Sequence, residues 1–266
     1  MKKVMIVSAA VCMSLAASMS AFAGELSTQS GNEFGVTVSK FKSERSYQFD
    51  ESSSFSQDAG QSFTDEQKQT KFGLDYTGTI AFDAGYFVKL NTRLAYGKED
   101  TVTDAFGSVQ PTIGYDIPVA GTMVSPYIGV GYRYRVTDDS DDGYGLTQYG
   151  STTYIPVGVT NRLSLGANSG LETTLEYDIV LKDKQKAEFG VDDNNTGEDT
   201  GDATLNYSRS GGSGIKFSTM YHYSHFAIGP YVEYWKHGSG SMGADVGAEE
   251  KSGNSTEVGV KAALRF

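Results

Sequence analysis

Between Lys71 and Tyr96 the chain alternates strictly. Phe72, Leu74, Tyr76, Ile80 and Phe82 share one parity, with Lys71, Asp75, Thr77 and Thr79 on the other. After Asp83-Ala84-Gly85, the residues Tyr86, Val88, Leu90, Leu94 and Tyr96 alternate with Lys89, Asn91, Arg93 and Ala95. A period of two places successive side chains on opposite faces of a strand, so this stretch predicts two strands and a tight hairpin. The pattern returns at Ile113, Tyr115 and Ile117, at Ile128, Val130, Tyr132, Tyr134 and Val136, and at Ile155, Val157 and Val159. It continues at Leu175, Tyr177, Ile179 and Leu181, at Ile215, Phe217, Tyr221 and Tyr223, at Phe226, Ile228, Val232 and Tyr234, and at Val258, Val260, Ala262, Leu264 and Phe266. With a weaker first strand at Phe34, Val36 and Val38, ten strands are expected.

Apolar residues on one face and charges on the other suit a sheet whose apolar face meets hydrocarbon. In lipid every backbone N–H and C=O needs a partner, which leaves the closed barrel as the β solution. The fold class expected is therefore all-β, a transmembrane antiparallel up-and-down barrel of ten strands, with eight or twelve as alternatives. Connections alternate in length, short near Asp83, Pro118, Asn161 and Ser224, and long around 47 to 69, 97 to 105, 137 to 148, 184 to 203 and 237 to 254. Such a barrel keeps its short turns and both termini on the periplasmic side. Pro111 and Pro156 fall inside expected strands, and a residue without an N–H breaks a closed ladder, so bulges are expected there. Pro126 and Pro230 stand near the starts of theirs.

The first residues change the picture of where the chain goes. Lys2 and Lys3 precede an apolar run from Val4 to about Leu15, and Ala21-Phe22-Ala23 offers small residues for a signal peptidase. This predicts a cleavable signal peptide over 1–23 and a mature barrel domain over 24–266. No later run approaches the ~18 to 20 apolar residues of a spanning helix. The one cysteine, Cys12, lies in that leader without the Leu of a lipoprotein site, so the exported chain is expected to lack disulfide and thiol chemistry. Net charge is −11, and loss of Lys2 and Lys3 makes it −13, which argues against nucleic acid as a partner. With 17 Tyr and 32 Gly against 5 Pro, the composition suits a barrel with aromatic girdles and a lumen that needs small residues.

The final strand, Val258, Val260, Ala262, Leu264 and a terminal Phe266, resembles the C-terminal signature of bacterial outer-membrane β-barrels. The resemblance implies residence in the outer membrane of a Gram-negative bacterium. It further implies outer-membrane lipids as surroundings and the barrel assembly machinery as a partner that reads Val258, Val260, Leu264 and Phe266.

The inward parity is highly charged. Lys71, Lys89, Arg93, Arg133, Arg135, Lys216, Lys261 and Arg265 stand against Asp75, Asp116, Glu172, Glu176, Asp178, Glu233 and Glu257. On the lipid face an Arg or Lys at the midplane would cost ~2 to 4 kcal/mol, which fixes the parity. Charges removed from bulk water need pairing, so a lumen charge network is expected. A ten-stranded barrel is little wider than one that side chains fill, which favours a narrow or plugged lumen over a small water-filled pore. Gly114, Gly129, Gly131, Gly158 and Gly259 share the inward parity, either as room for long side chains or as open space.

Other chemistry is sparse. Asp138-x-Ser140-x-Asp142-Gly143 begins like a calcium loop, but Tyr149 holds the twelfth position where a bidentate Glu belongs. Ca²⁺ at this loop, or at the acidic run Asp192, Asp193, Glu198, Asp199 and Asp202, is set against a solvated loop. His222-Tyr223-Ser224 with Glu233 resembles the His-x-Ser and Glu set of the lipid A deacylase barrels, although the spacing to Glu233 does not match. Proteases of the omptin type are ten-stranded and use an Asp-His pair at the rim. Here His237 lacks an adjoining Asp-x-His and Trp235-Lys236-His237 suggests an interfacial anchor. The sequence thus points to a non-enzymatic barrel without cofactor, with acidic loops for surface contact or shielding. A narrow passive porin and an outer-membrane hydrolase are the alternatives.

Overall fold

The computed structural model describes residues 26–49, 62–139, 144–191, 203–241 and 248–266. The leader, the residues of the expected calcium loop from Ser140 to Gly143, and the acidic run 192–202 lie outside the described residues. Twelve strand segments form one antiparallel sheet: β1 (Gly31–Phe49), β2 (Ser62–Ala81), β3 (Tyr86–Glu99), β4 (Val102–Tyr115), β5 (Ile117–Val119) and β6 (Thr122–Gly129), then β7 (Gly131–Asp139), β8 (Tyr144–Gly166), β9 (Ser169–Val191), β10 (Ala203–Tyr223), β11 (Phe226–Ser241) and β12 (Ala248–Arg265). β4 and β5 make one wall strand, interrupted at Asp116, and β6 and β7 make another, interrupted at Val130. The ring therefore has ten strands, closed by β1 against β12 from Glu33↔Arg265 to Phe49↔Ala248. At the seam Phe266 and Asn32 exchange main-chain hydrogen bonds of 2.9 and 2.8 Å.

The prolines are accommodated differently from the expected bulges. Pro111 faces Val130, whose N–H donates to the Pro111 carbonyl at 3.1 Å, while proline has nothing to return. The register continues from Thr112↔Gly129 to Val109↔Tyr132, so one missing bond splits β6 from β7 without a bulge. Pro156 pairs in register with Asp178, and the nearby shift falls between Thr153 and Tyr154. There Thr153 faces Lys182 and Tyr154 faces Val180, leaving Leu181 extra on β9.

An extra residue exchanges the two faces of everything beyond it. On β9, Glu176 and Asp178 are buried inward below Leu181, and Asp183 and Gln185 are buried inward above it. β12 shifts likewise, Ser46 pairing with Ser252 and Tyr47 with Glu250, with Lys251 extra. β10 makes the change at Gly211 and Gly212, whose φ of 73° and 131° suits glycine, so that Arg209 and Lys216 both face inward.

Two connections differ from the sequence reading. The loop expected at 97 to 105 is a tight turn at Asp100 and Thr101, Asp100 having a φ of 53°. Polar Thr160, Asn161 and Arg162 read as a turn, yet β8 runs through them to Gly166, because Thr160 bonds Thr174 and Asn161 bonds Thr122 across the sheet. Beyond Glu99 the other strands climb further than expected, reaching Phe49, Asp139, Val191 and Ser241. A 23-residue strand such as β9, tilted about 40°, rises on the order of 55 Å. An apolar band is only ~25 Å tall.

That band is visible on the outer wall. Phe72 and Leu94 are each 64% exposed, and Val36, Val88, Ile113, Tyr132, Val157, Ile179, Ile215, Ile228 and Val260 face outward beside them. All lie in the half of the barrel nearer the short turns. Above them the outward residues turn polar, as at Lys40, Thr70, Lys184, Ser208 and Lys236. Val258, Val260, Leu264 and Phe266 of the expected assembly signal all face outward in the belt.

Candidate functional site

The lumen gathers most of the polar chemistry. At the short-turn end lies a vestibule of about 830 Å³. Asp116 anchors its wall, accepting from the Thr28 amide at 2.6 Å, the Thr28 hydroxyl at 2.9 Å and the Ser125 hydroxyl at 2.6 Å. Thr28 and Leu26 are thereby buried in the mouth. Arg162 joins Ser125 at 2.9 Å and Glu172 at 2.8 Å, and Lys261 and Arg265 both reach Glu33 at 2.9 Å. Lys89 lines the same space.

A polar tier roofs the vestibule. Arg93 contacts Glu233 at 3.2 Å, Tyr231 at 2.7 Å and Glu257, which also accepts from Ser39 and Tyr231 at 2.7 Å each. Alongside, Lys216 lies 2.7 Å from Glu176 and 3.2 Å from Asp178, while Gln110 and Tyr127 donate to Glu176 at 2.7 and 2.8 Å. Asp75 faces the same tier with one carboxylate oxygen buried and unbonded among the described residues. Above it is an aromatic layer in which Arg133 sits between the Trp235 and Phe106 rings, at 4.1 and 5.1 Å from their centroids. Tyr154 meets the Trp235 ring edge-on at 5.2 Å. Such stacking orients a guanidinium without an acid partner.

A third tier closes the upper lumen. Asp104, fully buried, is shared by Lys71 at 2.5 Å, Arg135, and the Thr137 hydroxyl at 3.0 Å. Phe41 lies against both cations, 3.5 Å from Lys71 and 4.4 Å from Arg135. Across the barrel Arg209 bridges Asp183 at 3.4 Å and Glu250 at 3.0 Å, with Tyr207 on Glu250 at 2.8 Å and His237 on Asp183 at 3.1 Å. Paired and hydrogen-bonded charges of this kind avoid the several kcal/mol that each would cost if buried alone.

Three of the five inward glycines are seats for aromatic rings. A Cβ on Gly131 would lie 2.1 Å from the Tyr154 ring, on Gly158 2.3 Å from Tyr127, and on Gly114 2.2 Å from Phe87. At Gly129 the neighbour is the Pro111 carbonyl at 2.2 Å, and at Gly259 it is the Ser39 Cβ and the Val38 carbonyl, each at 2.7 Å.

All thirteen residues expected in the charge network, Asp75, Lys89, Arg93, Asp116, Arg133, Arg135, Glu172, Glu176, Asp178, Lys216, Glu233, Glu257 and Lys261, face the interior, at four heights rather than in one cluster. Asp104, Asp183, Arg209 and Glu250 belong to the network and were missed, because they lie above the belt, three of them beyond the bulges. Trp235 and His237 are not an interfacial anchor: Trp235 is 3% exposed and His237 turns onto Asp183, both inside. Their strand keeps one parity from Ala227 to His237, and that parity faces inward. His222, Ser224 and Glu233 do not assemble: the His222 ring nitrogens have no hydrogen bond among the described residues, Ser224 sits in an exposed turn, and Glu233 is held by Arg93. Asp138 and Asp139 only accept from Thr147 and Thr101, and no group of acids or histidines among the described residues could hold a metal.

No protein-family model matches the chain, and no curated protein matches it. Among solved structures, the outer-membrane protease OmpT of Escherichia coli superposes with a TM-score of 0.54 at 8% identity, covering 89% of this chain and 97% of that one. The fold is that of a bacterial outer-membrane β-barrel. Two further barrels superpose less closely. The translocator domain of the autotransporter NalP from Neisseria meningitidis gives 0.40 at 12% identity, covering 90% of each chain. A major outer membrane protein from Thermus thermophilus gives 0.42 at 14%, covering 86% of this chain and 99% of that one. At such identities the likeness to OmpT concerns the fold and not the chemistry, and the outer-membrane barrel described here keeps its polar residues in cross-lumen tiers.

Proposed function

We propose that the protein is a closed, non-enzymatic outer-membrane barrel whose long extracellular half serves surface contact or shielding. The reading rests on the cross-lumen tiers: Lys71, Asp104, Trp235, Tyr154, Arg209 and Glu250 are all buried, above a roof of Arg93, Glu257, Lys216 and Glu176. Side chains that bond across the bore at several heights leave little path for a hydrated solute. The orientation, with short turns and termini in the periplasm, follows the strand lengths, and the outward-facing Phe266 segment supports delivery by the assembly machinery. The acidic loops are its candidate contact surface.

Planar bilayer recordings of the purified chain test this, with silence expected. The vestibule favours a second reading, a narrow passive channel for small solutes, in which the tiers part. Discrete conductance steps in the unmodified protein would replace the first reading by the second.

A further inference from the structure

The outer wall carries a basic column of its own. On β9, immediately above Leu181 at the top of the apolar belt, Lys182, Lys184 and Lys186 all face outward. The register sets their neighbours. Thr153 and Tyr132 lie beside Lys182, Ser151 and Tyr134 beside Lys184, and Tyr149 beside Lys186. On the other side β10 presents Ser208 next to Lys184 and Asn206 next to Lys186. Small residues between long ones leave a groove of about 580 Å³ on the wall, where Tyr134, Tyr149, Lys184 and Lys186 stand around Ser151 and Ser208 with Glu188 at its upper end, and Lys182 lies just below it.

Lys186 is engaged by Glu188. Lys182 and Lys184 have no carboxylate partner among the described residues, in a chain whose net charge is −11. Two unpaired ammonium groups in an acidic protein, standing where the wall leaves hydrocarbon on the extracellular side, meet the headgroups of the outer leaflet. Tyrosine rings and hydroxyls beside them suit a sugar, and the exposed Leu181 and Ile179 below suit acyl chains.

We propose that this groove, together with Lys182 beside it on the same face of β9, is a docking surface for a phosphorylated glycolipid of the outer leaflet, its phosphates on Lys182 and Lys184 and its sugar against Tyr134 and Tyr149. The proposal rests on the outer-membrane reading, and is independent of whether the lumen conducts.

The test titrates the full chain in detergent micelles with bisphosphorylated lipid A, the same lipid A stripped of both phosphates, and phosphatidylglycerol, with bound lipid read by native mass spectrometry. Bisphosphorylated lipid A is expected to bind tightest, and the Lys182→Gln/Lys184→Gln variant to bind it roughly thirtyfold more weakly, as loss of two cations near an anionic surface implies. Ser208→Asp, an exposed change beside Lys184, is expected to weaken it in the same direction. The gel shift on boiling reports the barrel separately in each variant. Undiminished binding by shift-competent Lys182→Gln/Lys184→Gln and Ser208→Asp would overturn the proposal. So would equal binding of the dephosphorylated lipid, or of phosphatidylglycerol, the latter marking a generic anionic surface.

Discussion

The guanidinium of Arg133 lies 4.1 Å from the centroid of the Trp235 ring, inside the barrel. Trp235 is the only tryptophan of the chain, so its fluorescence reports this layer alone. Emission is expected to be that of a buried indole, unquenched by iodide added outside or inside vesicles. Trp235→Ala, which removes the ring that Arg133 and Tyr154 pack on, is expected to destabilise the barrel by about 3 to 5 kcal/mol, measured by urea unfolding in vesicles by circular dichroism. An iodide-accessible Trp235 in the unmodified protein would remove the aromatic layer from the lumen.

Gly131 offers a complementary test, because the ring of Tyr154 occupies the space its side chain would take. Gly131→Val is expected to cost about 1 to 3 kcal/mol through overpacking. Pairing it with Tyr154→Ala, which vacates the space, is expected to recover part of the loss. Two costs that simply add would mean that the residues do not share a site.

Asp104 holds Lys71 and Arg135 together at the upper tier. Asp104→Asn leaves two buried cations without their acid, and a loss of about 3 to 5 kcal/mol is expected from breaking such a group. Glu99→Gln, at the exposed end of β3, is the control and is expected to change stability by less than about 0.5 kcal/mol. Equal effects in the same urea titration would show that Asp104 is solvated rather than sealed in.

A pH test is available above the belt, where β1 and β2 place Lys42 opposite Lys68 and Glu44 opposite Glu66. Lys42 reaches Glu44 at 2.6 Å and Glu66 at 2.9 Å. The hydrogen bonds from Lys68 and then Lys42 pull the Glu66 carboxyl down to about 2. A carboxyl with a lowered folded pKa adds stability that is present above its ordinary value of 4.5 and is lost as pH falls toward about 2. A ¹³C NMR titration with the Glu66 carboxyl assigned should give that group a midpoint near 2, moved upward by Lys42→Gln. A Glu66 midpoint at 4.5 in the unmodified protein would dissolve the quartet.

The belt was legible in the sequence for a plain reason. Where one face meets hydrocarbon and the other a polar interior, alternation is enforced at each step, so Leu90, Tyr132 and Ile179 read as outward and Arg93, Arg133 and Asp178 as inward, as found. Above the belt both faces are polar and the constraint lapses. Glu188 outside and Asp183 inside then look alike, and the extra residues Leu181 and Lys251 exchange the faces without a local mark. Trp235 was misassigned because an aromatic beside Lys236 matches an interfacial pattern, although its parity with Glu233 already pointed inward. The charge pairs themselves, such as Arg93 with Glu233, join residues 140 apart in sequence and depend on which walls face each other across the bore.

The short turn at Asp100 and Thr101 leaves β3 at 14 residues while β9 has 23. Both rise from the short-turn end, so the barrel is cut obliquely, lower on one flank by on the order of 20 Å. In the orientation proposed above, anything approaching from outside the cell meets a tall palisade on the β8–β9 side and a low sill at the β3–β4 turn, so access to the upper bore is directional before any loop takes part.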